Sequence, residues 1–192
     1  ARCEAEGACS RCARSCPVGA LTLADPARSE RESRLVFDLG RCLFCTECRE
    51  ACPAGALTMG PDYRLAAGSR EHLLYRPGAE ELRRADAMGA ELRRLYGRSL
   101  KFREVSAGGC NACEADSNVL TTVGWDIGRF GVQFVASPRH ADALWVTGPV
   151  SRNMLLALRK TWEALPEPRL VVAVGACAVS GGRSEERRVG KE

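Results

Sequence analysis

The residues best placed to do chemistry in this chain are its eleven cysteines, which fall into groups instead of scattering. Cys3, Cys9, Cys12 and Cys16 form the first, Cys42, Cys45, Cys48 and Cys52 the second, and Cys110, Cys113 and the distant Cys177 the third. An odd total and gaps of two or three residues argue against a disulfide framework, which needs an oxidising compartment and better separated partners. Thiolates gathered this closely are soft ligands for metal. The stretch CSRCARSCPVGALTL (9–23) returns as CTECREACPAGALTM (45–59), so two of the groups are copies of one motif. Structural zinc also takes Cys-x2-Cys pairs in fours, as in a zinc-stabilised binding module. One tetrahedral ion needs only four thiolates, however, and gives no reason to write the longer run twice.

Cys42-x2-Cys45-x2-Cys48-x3-Cys52-Pro53 resembles the bacterial two-cluster ferredoxin run, in which three cysteines grip one 4Fe-4S cluster and the fourth ligates its neighbour. By that crossed logic Cys16 completes the cluster of Cys42, Cys45 and Cys48, and Cys52 completes that of Cys9 and Cys12. Where the second copy has Cys42, the first has Glu6. The remaining ligand is therefore Cys3, through a longer Cys3-x5-Cys9 gap, or the carboxylate of Glu6, with Cys3 favoured.

The elements that must hold these residues read differently along the chain. Residues 1–62 are expected to form an α+β ferredoxin-like domain, with DPARSERESR (25–34) as a polar insert and LVFDLGR (35–41) as a short strand feeding the second cysteine loop. Residues 63–98 read as a linker. In it PGAEELRRADAMGAELRRLYG (77–97) carries Leu82, Ala85, Met88, Leu92 and Leu95 at helical spacing, a helix that bridges domains or packs on a partner subunit. From residue 99 to 182 the pattern changes. SLKFREV is a strand, Gly108 and Gly109 permit a bend before Cys110-x2-Cys113, and a helix follows. VQFVA (132–136) and ALWVTG (143–148) read as buried strands, Ser151 caps a helix to about residue 165, and RLVVAVGAC (169–177) is another strand. Strand, strand, helix, strand predicts an α/β, flavodoxin-like domain whose parallel sheet binds ligands beyond its carboxyl ends. Cys177 stands past such an end, where small residues leave room for a prosthetic group, and Cys110 and Cys113 sit in a loop able to face it. The glycines of VAVGACAVSGG do not make G-x-G-x-x-G, which excludes a dinucleotide site there. His140 is expected to be structural.

GGCNACEAD, RFGVQFVASPRHADALWVTGPV and PRLVVAVGACAVSGG closely resemble the small, proximal-cluster subunit of membrane-bound energy-converting nickel-iron hydrogenases and its homologue in respiratory complex I. The first 60 or so residues resemble the two-cluster ferredoxin subunit of the same complexes, so the chain is similar to a fusion of two neighbours. The resemblance implies that Cys110, Cys113 and Cys177 hold the 4Fe-4S cluster nearest a catalytic large subunit of nickel-iron or quinone-site type. Cys-x2-Cys, in place of adjacent cysteines, points to the hydrogenase branch over a complex I-like NADH or ferredoxin:quinone relay. Glu114, beside the cluster loop, is a candidate for proton transfer. In the family a fourth ligand follows in a downstream glycine-cysteine-proline segment. Here residues 183–192, RSEERRVGKE, read as an atypical charged tail in place of the rest of the domain, leaving that ligand absent.

The expected function is electron transfer without bond chemistry of its own, alongside membrane subunits and with ferredoxin or another carrier as electron partner. The net charge of +4 is spread over both halves without aromatic interleaving, which speaks against nucleic acid. The longest uncharged apolar run, residues 170–182, is too short to cross a bilayer, and no leader pattern opens the sequence, so the chain reads as cytoplasmic and peripheral on the membrane's inner face through its partners.

Overall fold

The apolar LTL that ends the first cysteine copy forms a strand, β1 (Leu21–Leu23), paired antiparallel with β2 (Leu35–Asp38) so that Leu21 faces Phe37 and Leu23 faces Leu35. The computed structural model describes residues 9–23, 35–77, 94–98 and 100–182. The chain divides into two compact units, Ala1–Asp86 and Ala87–Glu192. In the first, each cysteine copy contributes a short helix, α1 (Arg11–Ser15) and α2 (Glu47–Glu50), and the two helices pack together. Ala20, Leu21 and Leu35 are buried in one core with Cys12 and Cys48. A third strand, β3 (Leu74–Tyr75), completes the order β1-β2-β3. It lies in the stretch read from sequence as linker, and pairs antiparallel with β2 through Asp38 and Leu74. The amphipathic pattern over 77–97 falls largely outside the described residues, as do Cys3, Glu6 and residues 183–192.

The second unit is an α/β layer. Its strands are β4 (Lys101–Ser106), β5 (Gln133–Phe134), β6 (Ala143–Thr147) and β7 (Leu170–Val174), all parallel, in the order β5-β4-β6-β7. Helix α3 (Ala112–Val119) follows β4, α4 (Arg152–Glu163) follows β6, and α5 (Gly175–Ser180) follows β7 at once. The core joins Val105, Ala107, Leu144 and Val146 of the sheet region with Leu165, and Met154, Leu158 and Trp162 of the α4 region pack on it. Burying a side chain such as Leu144 is worth roughly 1.5–3 kcal/mol. Phe102, Phe134 and Trp145 cluster, with centroids of Phe102 and Trp145 5.3 Å apart, edge to face. Buried Asp142 accepts both guanidinium nitrogens of Arg98, at 2.6 and 2.9 Å, and the Lys101 amide at 2.8 Å, fixing the chain's entry into β4.

Two expectations about strands need correction. VQFVA shrinks to Gln133–Phe134, because β5 is an edge strand bonded only to β4, and Gln133 is exposed. β7 is apolar throughout yet has no fully buried residue, and Val171 remains 54% exposed, because only β6 flanks it. β6 alone is buried as an inner parallel strand should be. Among the described residues no helix is long and apolar enough to cross a membrane.

Candidate metal centres

The two cysteine copies fold into the same turn. Gly19 and Gly55 have positive φ of 61° and 57°, and their amides donate to the carbonyls of Cys16 at 3.2 Å and Cys52 at 3.1 Å. That turn brings the Ala20 N–H onto the Cys16 sulfur at 3.1 Å and the Ala56 N–H onto the Cys52 sulfur at 3.4 Å. In the loop before α2, Phe44 is left-handed at φ 54° and its amide donates to the Cys42 sulfur at 3.3 Å.

Electrostatics link the copies. Burial pushes the Cys42 thiol above its ordinary value; the Phe44 amide opposes this, while the negative charges of Cys16, Cys45 and Asp38 add to it. Burial likewise raises Cys48, with the Arg49 amide opposing and Cys42 and Cys16 adding. Cys16, from the first copy, therefore lies within electrostatic reach of Cys42 and Cys48, from the second. Cys12 is buried, Cys9 and Cys52 half-buried and Cys45 exposed. No described cysteine is in a disulfide.

The third group assembles at the carboxyl ends of the second unit's strands. Ala107 is buried beyond β4, its amide donating to the Thr147 carbonyl at 2.8 Å. Gly108 and Gly109 then turn the chain against the β6 loop, where a Cβ on Gly109 would sit 3.1 Å from the Gly148 Cα. α3 begins at Ala112, before Cys113 and not after it, because Asn111 is left-handed at φ 68° and starts the helix there. Cys177 is also placed differently from expectation. Gly175, at φ 84°, lets β7 pass directly into α5, so Cys177 stands in the first turn of a helix. A Cβ on Gly175 would lie 2.3 Å from the Cys113 sulfur, and one on Gly182 would lie 3.4 Å from the Cys177 sulfur. Burial raises the Cys113 thiol, and the charges of Glu114, Cys177 and Cys110 add to it.

Glu114 is buried and accepts hydrogen bonds from the hydroxyls of Ser106 and Thr147, both at 2.6 Å to Oε1. Burial alone would raise its pKa; the two hydroxyls and its own amide outweigh burial and hold the carboxyl below the usual range. Its charge acts on Glu104, whose carboxyl is pushed up by burial and then by Glu114, with Oε1 buried and unpartnered among the described residues. Neither Ser106 nor Thr147 stood out in the sequence, since nothing local marks a hydroxyl that meets a carboxylate across strands. His140 is exposed on a 3-10 turn, Pro138–His140.

Each site offers thiols, largely sheltered, with amide N–H groups aimed at sulfur in the first unit, a donor set suited to iron-sulfur clusters, whose potentials respond to hydrogen bonds on sulfur. Among the described residues no three His, Cys, Asp or Glu side chains converge tightly enough to hold a single metal ion. Residues 2–56 match the family described as a 4Fe-4S dicluster domain, and residues 110–191 the family described as NADH ubiquinone oxidoreductase, 20 Kd subunit. The first match falls on the two cysteine copies and the second on the third cysteine group. A probable membrane-bound hydrogenase subunit of Pyrococcus furiosus is 41% identical over 101 residues, 53% of this chain and 60% of that one. Formate hydrogenlyase subunit 7 of Escherichia coli is 40% identical over 96 residues, covering 50% and 38%. An NADH-quinone oxidoreductase subunit of Citrifermentans bemidjiense is 42% identical over 74 residues, covering 38% and 44%. The chain thus spans between 38% and 60% of the length of these relatives.

Proposed function

We propose that this chain is the electron-transfer iron-sulfur subunit of a membrane-associated nickel-iron hydrogenase complex, passing electrons to that complex's catalytic large subunit. Its first unit is a ferredoxin-like domain with two 4Fe-4S sites, one of Cys3, Cys9, Cys12 and Cys52, the other of Cys42, Cys45, Cys48 and Cys16. Its second is a flavodoxin-like domain where Cys110, Cys113 and Cys177 contribute a third; of the stretch 63–98 read as linker, the part up to β3 belongs to the first unit. When bound, such clusters take up and release single electrons. The observation that carries the reading is the packing of the two cysteine copies against each other, with Cys12, Cys16, Cys42 and Cys48 around one core, an arrangement that supports the exchange of fourth ligands in a two-cluster motif.

The protein's own residues shelter and polarise these sites. Cys12 and Cys48 lie in the apolar core, which excludes water, and amides at Ala20, Phe44 and Ala56 offset negative charge on sulfur. Glu114 ties α3 to β4 and β6 beside Cys113, and as the nearest buried carboxylate it is the residue we assign to proton exchange with this site. At the end of α3 and just after it, the exposed Val119, Val123, Trp125 and Phe130 offer apolar surface for the large subunit. The similarity to a membrane-bound hydrogenase subunit supports peripheral attachment through partner membrane subunits; in our reading this is on the cytoplasmic side, with ferredoxin or a similar carrier as electron partner. A complex I-like quinone-reducing relay is the second reading, favoured by the NADH-quinone oxidoreductase relative.

The test is iron and acid-labile sulfide per chain, with electron paramagnetic resonance after reduction, on oxygen-free protein. Two distinct reduced-cluster signals from the first unit are expected. A colourless chain carrying zinc refutes the proposal, and a co-purifying large subunit without nickel transfers it to the quinone branch.

A further inference from the structure

Asp38 closes β2 and organises the turn that delivers Cys42. Its carbonyl accepts the Cys42 amide at 3.1 Å, and its carbonyl and Oδ1 both accept the Arg41 amide at 3.1 Å. Its own amide donates to the Ala20 carbonyl at 2.7 Å, the residue whose N–H faces the Cys16 sulfur. The same aspartate thus touches the chain on both sides of the site formed by Cys42, Cys45, Cys48 and Cys16. Its carboxylate is only 15% exposed, and its charge acts on Cys42.

A half-buried negative charge beside thiolates demands a counter-charge, and Arg70 supplies it. The Arg70 Nη2 donates to Asp38 Oδ2, while the weaker Arg41 contact stands at 3.8 Å. Arg70 is placed by tertiary structure: its carbonyl accepts the Leu73 amide, Leu73 in turn accepts the Leu39 amide at 2.9 Å, and Leu74 pairs with Asp38 across β2 and β3. Its Nη1 is buried without a hydrogen-bond partner among the described residues, so its bond to a carboxylate there runs through Nη2 to Asp38. The repeat does not duplicate this pair, since the position in the first copy equivalent to Asp38 is Arg2.

We infer that Arg70 is a positioning residue which, by neutralising Asp38, sets the reduction potential of the group held by Cys42, Cys45, Cys48 and Cys16 apart from that of its neighbour. Adding an electron near an uncompensated carboxylate is unfavourable, and a half-buried charge is screened less than a surface one. The inference rests on the iron-sulfur reading of those cysteines.

The experiment is a redox titration followed by electron paramagnetic resonance on the full chain, comparing Arg70→Gln, Asp38→Asn, the double variant and wild type. Asn keeps the acceptor for the Arg41 amide while removing the charge. Arg70→Gln is expected to move one of the two ferredoxin-type midpoints to more negative potential and Asp38→Asn to move the same midpoint positive, with the double variant returning towards wild type and the other midpoint fixed. If Arg70→Gln loses iron, the sign of the Asp38→Asn displacement decides alone. Equal displacement of both midpoints, displacement of one sign in both single variants, or none, overturns the inference while leaving the clusters established. Absence of any cluster signal in wild type overturns the iron-sulfur reading instead.

Discussion

Replacing Gly175 by alanine tests whether the third site is built by close approach of β7 to α3. Gly175 lies at φ 84°, and a Cβ there would be 2.3 Å from the Cys113 sulfur. A left-handed conformation costs an L-residue roughly 1–2 kcal/mol. Restoring van der Waals contact moves the sulfur by about 1 Å, which on a helix forces Cys113 off its rotamer for about another 0.5–1.5 kcal/mol. The lower entropy of the unfolded alanine chain returns about 0.4–1 kcal/mol. The net destabilisation is about 2 kcal/mol, a drop in melting temperature on the order of 10 °C for a unit of this size. All three tryptophans, Trp125, Trp145 and Trp162, lie in the second unit, so fluorescence-detected melting reports that unit alone. Gly124→Ala is the control, because nothing lies within 4 Å of its Cβ position. Iron bound through Cys113 should fall in Gly175→Ala while the signals of the first unit persist. A variant that melts within about 2 °C of wild type, with unchanged iron, shows that the approach of Gly175 to Cys113 does not build the site; the estimate of 4–8 °C per kcal/mol leaves no room for so small a change.

Three further outcomes are expected. Cys16→Ser should abolish the signal assigned to the second cysteine copy and Cys52→Ser that of the first, checked by spectra of each variant; loss within the mutated copy's own set contradicts the crossed assignment. Glu114→Ala should destabilise the second unit by about 1–3 kcal/mol, since the Ser106 and Thr147 hydroxyls lose a buried charged acceptor. Because the folded pKa of Glu114 is lowered, its contribution is complete above the unfolded carboxylate range and disappears as pH falls through the lower folded value, so the stability gap between wild type and Glu114→Gln should close in acid and stay open at neutral pH. Thr46→Asn should stabilise the metal-free chain by about 1 kcal/mol in denaturant titration, because Thr46 is a β-branched residue at φ 68°, where asparagine is tolerated.

What the sequence made legible was local or periodic. The doubled cysteine run marked the two copies that fold into the same turn, Ser151 the start of α4, and the strand-strand-helix-strand order the parallel sheet. Side-chain type announces these features within a few residues. The glycine-driven passage from β7 into α5 was missed because RLVVAVGAC reads as one apolar strand, and only the positive φ of Gly175 shows where it breaks. β3 was missed for a different reason: two residues, Leu74 and Tyr75, carry no periodicity, and their strand exists only because β2 lies alongside. The Arg70–Asp38 pair joins positions 32 residues apart, and neither residue is unusual in its own neighbourhood. Pairings across that distance depend on register, which composition does not encode.

The cysteine pairs themselves expose a shared local device. Ser10, Thr46 and Asn111 each follow the first cysteine of a Cys-x2-Cys pair and stand at a helix N-cap, and all three are types that ordinarily cap helices through the side chain. None makes a side-chain capping bond. In Thr46 and Asn111 the reason is conformational: both are left-handed, at φ 68°, where the extended geometry of a capped start is lost. The first amides of a helix otherwise lack partners, so they stay available to the thiol that lies over them. At α2 the amides of Cys48 and Arg49 do act on the Cys48 sulfur, lowering a pKa that burial raises. At α2 the chain thus leaves the conventional cap unmade and turns the helix start on sulfur, and the short helices of four and five residues in the first unit, neither long enough to be stable alone, hold their shape by packing on each other.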